Sequence, residues 1–215
     1  MPSRQPALSP LFFQLTAFLR KQKNMEKEKV PLADARNTAA ALLRHLRKFC
    51  VRCKVAGSIR RKKPMVSDIE ILFIPKTGEV ADPNDLFGHK IPVDYLVEEL
   101  KSLESLGILE RRKKKNDQET YGEWIKLMRH VKTGIAVDFF ACTRESWWTG
   151  LVSRTGGKPS NEALSYAAKA RGFKWRPNGG GFSLRSSKRI VFKVEKEADA
   201  FRFVKMPYLR PELRA

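Results

Sequence analysis

The sequence predicts an α+β chain in two parts: an α/β layer through the middle, then a smaller subdomain of helix and short strands from about residue 148 onward. Three observations carry this. Apolar residues recur at every third or fourth position before residue 50 and again around Val97. Between residues 51 and 142 lie short apolar runs, β-branched or aromatic, with the length of strands. After Trp148 the chain turns glycine-rich and basic. Of its 215 residues, 42% are hydrophobic, with 13 Phe and 4 Trp, which excludes a disordered basic tail and allows a real core.

The elements follow in order. Ser9-Pro10 opens an amphipathic segment carrying Leu8, Leu11, Phe12, Leu15, Phe18 and Leu19 at helical spacing; Ser suits the N-cap and Pro the first turn. The charged run over 21–29 reads as a solvated connection. A second helix follows Pro31, with Leu32, Ala35, Ala39, Leu42, Leu43, Leu46 and Phe49 on one face. An apolar run over 51–56 leads into a Gly57-Ser58 turn, and the run over 69–74 reads as a strand. Val93, Leu96, Val97, Leu100 and Leu103 mark another helix, stopped by Gly107. Residues 121–128 and 135–142 read as two more strands. Beyond the boundary, Thr155-Gly156-Gly157 is a loop, and Ser160 caps a helix through Ala170 that Gly172 ends. A turn at 177–181 joins short strands around Trp175 and at 182–184. Residues 190–194 add a third strand, and 197–204 a last helical turn or two.

Charge narrows the function. Lys and Arg total 43 against 23 Asp and Glu, a formal charge of +20. On a small folded body this is the footprint of a polyanion partner, most simply nucleic acid. No apolar run approaches a membrane span and no signal-peptide core opens the chain. Three cysteines are too few for a disulfide scaffold, which suits a reducing cytoplasm rather than secretion. Cys50-Val-Arg-Cys53, with His45 nearby, has half the spacing of a zinc site; without a second pair, it reads as packed thiols at a helix–strand junction.

The chemistry concentrates in Gly57-Ser58-Ile59-Arg60-Arg61 and in Ser67-Asp68-Ile69-Glu70. A Gly-Ser turn after a strand lets backbone N–H groups and a hydroxyl approach phosphate oxygens, and Arg61 adds a planar cation for the same oxygens. Asp68 and Glu70, two apart on a strand, share a face and can share divalent cations. Asp138 sits in the otherwise apolar Val137-Asp138-Phe139-Phe140 and needs a reason to be there. Three carboxylates around paired metals are the arrangement of in-line nucleotidyl transfer.

In this order and spacing, Gly57-Ser58-x-Arg60-Arg61…Asp68-Ile69-Glu70…Asp138 resembles the DNA polymerase β-like nucleotidyltransferases, and within them is most similar to family X DNA polymerases. The resemblance runs from about Val30 to the C-terminus. Thr155-Gly156-Gly157-x-x-x-Asn161 is similar to that family's loop and helix over the incoming nucleotide. The tail from Glu197-Ala198-Asp199-Ala200-Phe201 to Tyr208-Leu209-Arg210-Pro211-Glu212 is similar to the end of its nucleotide-binding subdomain. The resemblance implies a nucleotidyltransferase palm, a mixed sheet with helices on one face, followed by a small α/β C-terminal subdomain. It places an N-terminal helical extension at 1–29, the palm at 30–148 and the nucleotide-binding subdomain at 149–215. The resemblance implies a minimal form without lyase and fingers domains, comparable to the small viral members.

Carried over, Asp68, Glu70 and Asp138 hold two Mg²⁺ ions, with Mn²⁺ able to substitute, and Asp138 lies nearest the primer 3′-hydroxyl. Gly57, Ser58 and Arg61 grip the β and γ phosphates; Gly156 and Gly157 line the sugar; Asn161 reaches the base edge. The implied function is template-directed addition of deoxynucleoside triphosphates to primer–template or gapped DNA, in short-gap repair, by a monomer. The sequence departs from the family at several positions. Glu70 stands for a usual Asp, Gly157 for a Ser, Lys158 for an acidic or small residue, and Ser165 for a template-contacting Arg. Ser153 and Arg154 replace an aromatic pair that excludes ribonucleotides.

The basic residues supply the expected DNA contacts: Arg111, Arg112, Lys113, Lys114 and Lys115 in one cluster, and Lys169, Arg171 and Arg176 in the second subdomain. Phe173, Trp175 and Phe182 among them read as core. Two alternatives remain open: a transferase modifying a small molecule or protein, which leaves the +20 charge unexplained, and a template-independent terminal transferase. A non-catalytic binder leaves the three ordered carboxylates unexplained.

Overall fold

The computed structural model describes residues 29–82, 85, 89–113 and 119–214. The expected helix over 8–19 and two members of the basic cluster, Lys114 and Lys115, lie outside the described residues. In chain order the elements are β1 (Val30–Pro31), α1 (Leu32–Leu46), β2 (Cys50–Val55), a single helical turn α2 (Gly57–Arg60), β3 (Met65–Val66), β4 (Asp68–Pro75), β5 (Thr77–Ala81), β6 (Lys90–Asp94), α3 (Tyr95–Ser105), β7 (Leu109–Arg111), β8 (Ile125–His130) and β9 (Ala136–Ala141). Then come α4 (Trp147–Thr155), α5 (Lys158–Ala170), β10 (Phe173–Arg176), β11 (Gly181–Leu184), β12 (Ile190–Lys193) and α6 (Glu197–Phe203).

Five strands form a mixed sheet in the order β2-β4-β9-β8-β7. Only β4 and β9 run parallel; the other neighbours are antiparallel. Alternation along the strands sorts the side chains by face. Ile69, Ile71 and Phe73 of β4, with Val137 and Phe139 of β9, point to one face. There they pack on Ala35, Ala39, Leu42 and Leu46 of α1 and on Leu96, Leu100 and Leu103 of α3. Asp94 starts α3 by accepting from the backbone N–H groups of Leu96 and Val97, the expected chemistry of an N-cap. The opposite face carries Leu72, Ile74 and Phe140 under Trp147 and Leu151 of α4.

A second core lies beyond. It joins Leu164 and Ala168 of α5 to Phe182, Ala200, Phe201 and Val204, closed by the antiparallel sheet β10-β11-β12. Trp175 packs on Phe182 with ring centroids 4.8 Å apart, and Phe173 on Phe203 at the same distance. These aromatics are core, as their sequence suggests. Val152 of α4 also belongs to this core, so α4 has one side in each. The boundary expected near residue 148 falls within this helix.

The chain differs from its sequence reading at several places, among them Val93, which lies in β6 and not in the helix expected there. Helix α4 was not legible: Gly150 lowers its helical propensity, and the helix is held by Trp147 and Leu151 on the sheet and Val152 in the second core. Gly57-Ser58 is a helical turn rather than a plain turn. The strand expected over 121–128 begins only at Ile125, because residues 122–124 turn back. The Gly122 N–H donates to Ile125 O, and buried Lys126 caps the Gly122 and Glu123 carbonyls. Helix α5 starts at Lys158 with Gly157 at its N-cap and Pro159 in the first turn, two residues before the expected Ser160.

Candidate active site

The parallel pairing of β4 and β9 sets Glu70 opposite Asp138 and Asp68 opposite Ala136. Asp68, Glu70 and Asp138 therefore share the sheet face whose apolar part lies under α4. Burial, then the like charges of Asp68 and Asp138, push the Glu70 carboxyl up to about 7, against the pull of Arg154 and Arg61.

Two arginines stand among these carboxylates. Arg112 Nη2 donates to Asp138 Oδ1 at 2.6 Å. Arg154 lays its guanidinium on the Phe140 ring, 3.6 Å from the centroid. Burial lowers its pKa while Glu70 and Asp138 hold it up.

Glu70 and Arg61 line one side of a cleft of about 690 Å³, whose other side is built by residues between Ser153 and Tyr166. Gly57 has φ +59°, and a Cβ there would overlap the Glu70 carboxylate, so the turn and the carboxylate pack only with glycine between them. Among the described residues the buried Ser58 Oγ and Arg61 Nε have no hydrogen-bond partner. Arg61 Nη1 donates to Thr155 O at 2.7 Å, which ties the turn to the far wall. Asn161 Nδ2 donates to Ser153 O at 2.8 Å and to Gly156 O at 3.2 Å. The amide expected to reach a base edge instead fastens the end of α4 to the start of α5.

Behind the cleft lies a cluster that the sequence did not announce. Arg60 makes a bidentate pair with Glu197 at 2.6 and 2.7 Å and also donates to Thr155 Oγ1 at 2.6 Å. Glu197 accepts in addition from Arg214, whose side chain is fully buried, at 2.9 Å. Both arginines hold the Glu197 carboxyl below the ordinary carboxylate range, against its burial. The basic residues at 60 and 214 were visible, but nothing local marks a partner 137 residues away in the chain.

The basic cluster divides. Arg112, expected as a DNA contact, points inward to Asp138. Arg111 pairs with Glu104 at 2.9 Å and lies over the Tyr121 ring, and Lys113 remains exposed. In the second subdomain Lys169 and Arg171 are exposed, whereas Arg176 is tied to Ser183 Oγ and Ser187 O within its sheet.

Among the described residues no three His, Cys, Asp or Glu side chains converge closely enough to hold a metal ion as they stand; Arg112 holds Asp138 instead. The donor set nevertheless suits a divalent cation. Three carboxylates share one face, and burial, with the like charges of Asp68 and Asp138, raises the pKa of Glu70, a cost that a bound cation would offset.

No family profile matches the chain, and neither does any curated protein. Among solved structures it is similar to the crystal structure of Leishmania infantum polymerase β in a ternary P/T complex. The TM-score is 0.63 at 19% identity, covering 98% of this chain and 84% of that one. The chain shares the fold of that polymerase β structure. No helix among the described residues is long and apolar enough to cross a membrane.

Proposed function

We propose that the protein is a template-directed DNA polymerase that adds deoxynucleotides to a primer 3′-hydroxyl in short gaps and releases pyrophosphate. The observation that carries this reading is the meeting of Asp68, Glu70 and Asp138 on one sheet face, with the Gly57 turn packed against Glu70 and Arg61 beside it at the cleft. The solved neighbour, titled as a polymerase β ternary P/T complex, and the charge of +20 support DNA as partner.

In this reading Asp68, Glu70 and Asp138 hold two Mg²⁺ ions, for which Mn²⁺ can substitute. When bound, such ions stabilise the charge that develops as the 3′-oxygen displaces pyrophosphate. The chain's own residues do the rest. Arg112 leaves Asp138, freeing a carboxylate to take up the 3′-hydroxyl proton. Backbone N–H groups at Gly57 and Ser58, the Ser58 hydroxyl and the remaining Arg61 N–H groups bind the β and γ phosphates. Gly156 and Gly157 give the sugar a wall of backbone, and Asn161 holds that wall in place.

Primer extension with labelled nucleotides, run with and without a template strand, tests the proposal. Template-dictated incorporation supports it. Extension indifferent to template points to a terminal transferase, and absence of any nucleotide addition overturns the reading.

A further inference from the structure

The Cys50-Val-Arg-Cys53 pair lies outside the cleft, and the proposed chemistry has no use for it. On a regular strand, residues three apart point to opposite faces. Here the register of β2 against β4 slips between Cys50 and Arg52, with Cys50 opposite Pro75 and Arg52 opposite Ile74. The extra residue of this bulge returns Cys53 to the face of Cys50. Both side chains pack against the same apolar core, Cys50 at 5% exposure and Cys53 half-buried. The two thiols thus share one face of the strand, close enough to perturb each other's ionisation.

The two sulfurs differ in character. The hydrogen bond from Cys50, then the charge and hydrogen bond of Arg47, push the Cys53 thiol down to about 7 against its burial. Cys50, which gives that hydrogen bond and is more deeply buried, is pushed up. Asp94 raises it further and Lys76 opposes. Cys142 provides a reference within the same molecule: it is buried, pushed up to about 12, and donates to Phe73 O at 3.3 Å.

We propose that Cys50 and Cys53 form a peroxide-sensitive dithiol, with Cys53 the attacking thiolate and Cys50 the resolving thiol. The Cys53 thiolate attacks one oxygen of a hydroperoxide. The O–O bond breaks, the sulfur becomes a sulfenic acid, and the departing hydroxide takes a proton to become water. The Cys50 sulfur then attacks the Cys53 sulfur, an S–S bond forms, and the sulfenic oxygen leaves as a second water with the Cys50 proton. Two thiols are oxidised to one disulfide, and one hydrogen peroxide is reduced to two waters.

Trypsin cuts after Arg52, between the two cysteines, so their disulfide appears as a cross-linked pair of peptides and cannot be confused with a free thiol. The full chain is treated with hydrogen peroxide at pH 7, alkylated and digested. We expect the Cys50–Cys53 cross-link to form, to disappear with dithiothreitol, and to leave Cys142 alkylatable under denaturing conditions. Before oxidation, Cys53 should react with iodoacetamide at least roughly a hundredfold faster than Cys142. Cys50→Ser should leave a sulfenic acid on Cys53 that dimedone traps; Cys53→Ser should abolish peroxide sensitivity at position 50. Three results would overturn the proposal: Cys53 no more reactive than Cys142, oxidation of Cys53 to sulfinic acid while Cys50 stays free, or a disulfide only between molecules.

Discussion

Glu70 carries most of the electrostatic cost of the site. Its carboxyl titrates near 7 in the folded protein rather than at the ordinary 4.5, so the folded state holds this proton more tightly than the unfolded chain does. Its ionisation therefore costs nothing at pH 4, begins to destabilise as the pH rises past 4.5, and costs its full amount above 7. Without added metal, Glu70→Gln should be more stable than wild type by about 1–3 kcal/mol at pH 8 and no more stable at pH 4. Urea denaturation at the two pH values checks this; an equal difference at both would remove the electrostatic account. Ser153 and Arg154 bear on sugar choice. Ser153 presents no ring to the cleft and Arg154 lies on Phe140, so exclusion of a 2′-hydroxyl falls to the backbone at 155–157. The ratio of kcat/KM for deoxy- over ribonucleotides should fall below about ten thousand, and Ser153→Tyr should raise it by roughly ten- to two-hundredfold. The three carboxylates were legible in sequence because their signal is local: two residues apart on a strand, and one acid in an apolar run. Arg112 was not, since a basic run gives no sign of which member turns inward to an acid 26 residues away.

Helix α4 and the Glu197 cluster join the two cores. Leu151 packs under the sheet and Val152 in the second core, while Arg60, Glu197 and Arg214 bind α2 to α6 and to the C-terminal segment. Glu197→Ala would leave two guanidinium groups with little solvent access and no carboxylate. The expected loss is about 3–5 kcal/mol, read from the urea midpoint at neutral pH. A loss under 1 kcal/mol would mean that water or a neighbour takes over the pairing. Neither feature was readable from local sequence. In α4, Gly150 masks a helix that is held by packing in both cores, and Glu197 looks like one acid in an ordinary first turn. By contrast α1 and α3 were readable because each buries a single continuous apolar stripe.

For the molecule as a whole, the +20 charge and the cleft between two cores argue for a polyanionic partner held by phosphate contacts rather than by base readout. A protein that neutralises about six phosphates loses roughly a thousandfold in affinity between 50 and 200 mM salt. A fluorescence titration with gapped duplex over that range should show this slope, and a flat response would return the small-molecule reading to the front. In the proposed function Asp138 does chemistry and is not merely the acid that pairs with Arg112. The most direct test is single-nucleotide addition to a gapped duplex by wild type and by Asp138→Ala, with DNA affinity measured alongside. The account predicts a loss of several orders of magnitude in addition with affinity nearly unchanged; addition within tenfold of wild type would contradict it.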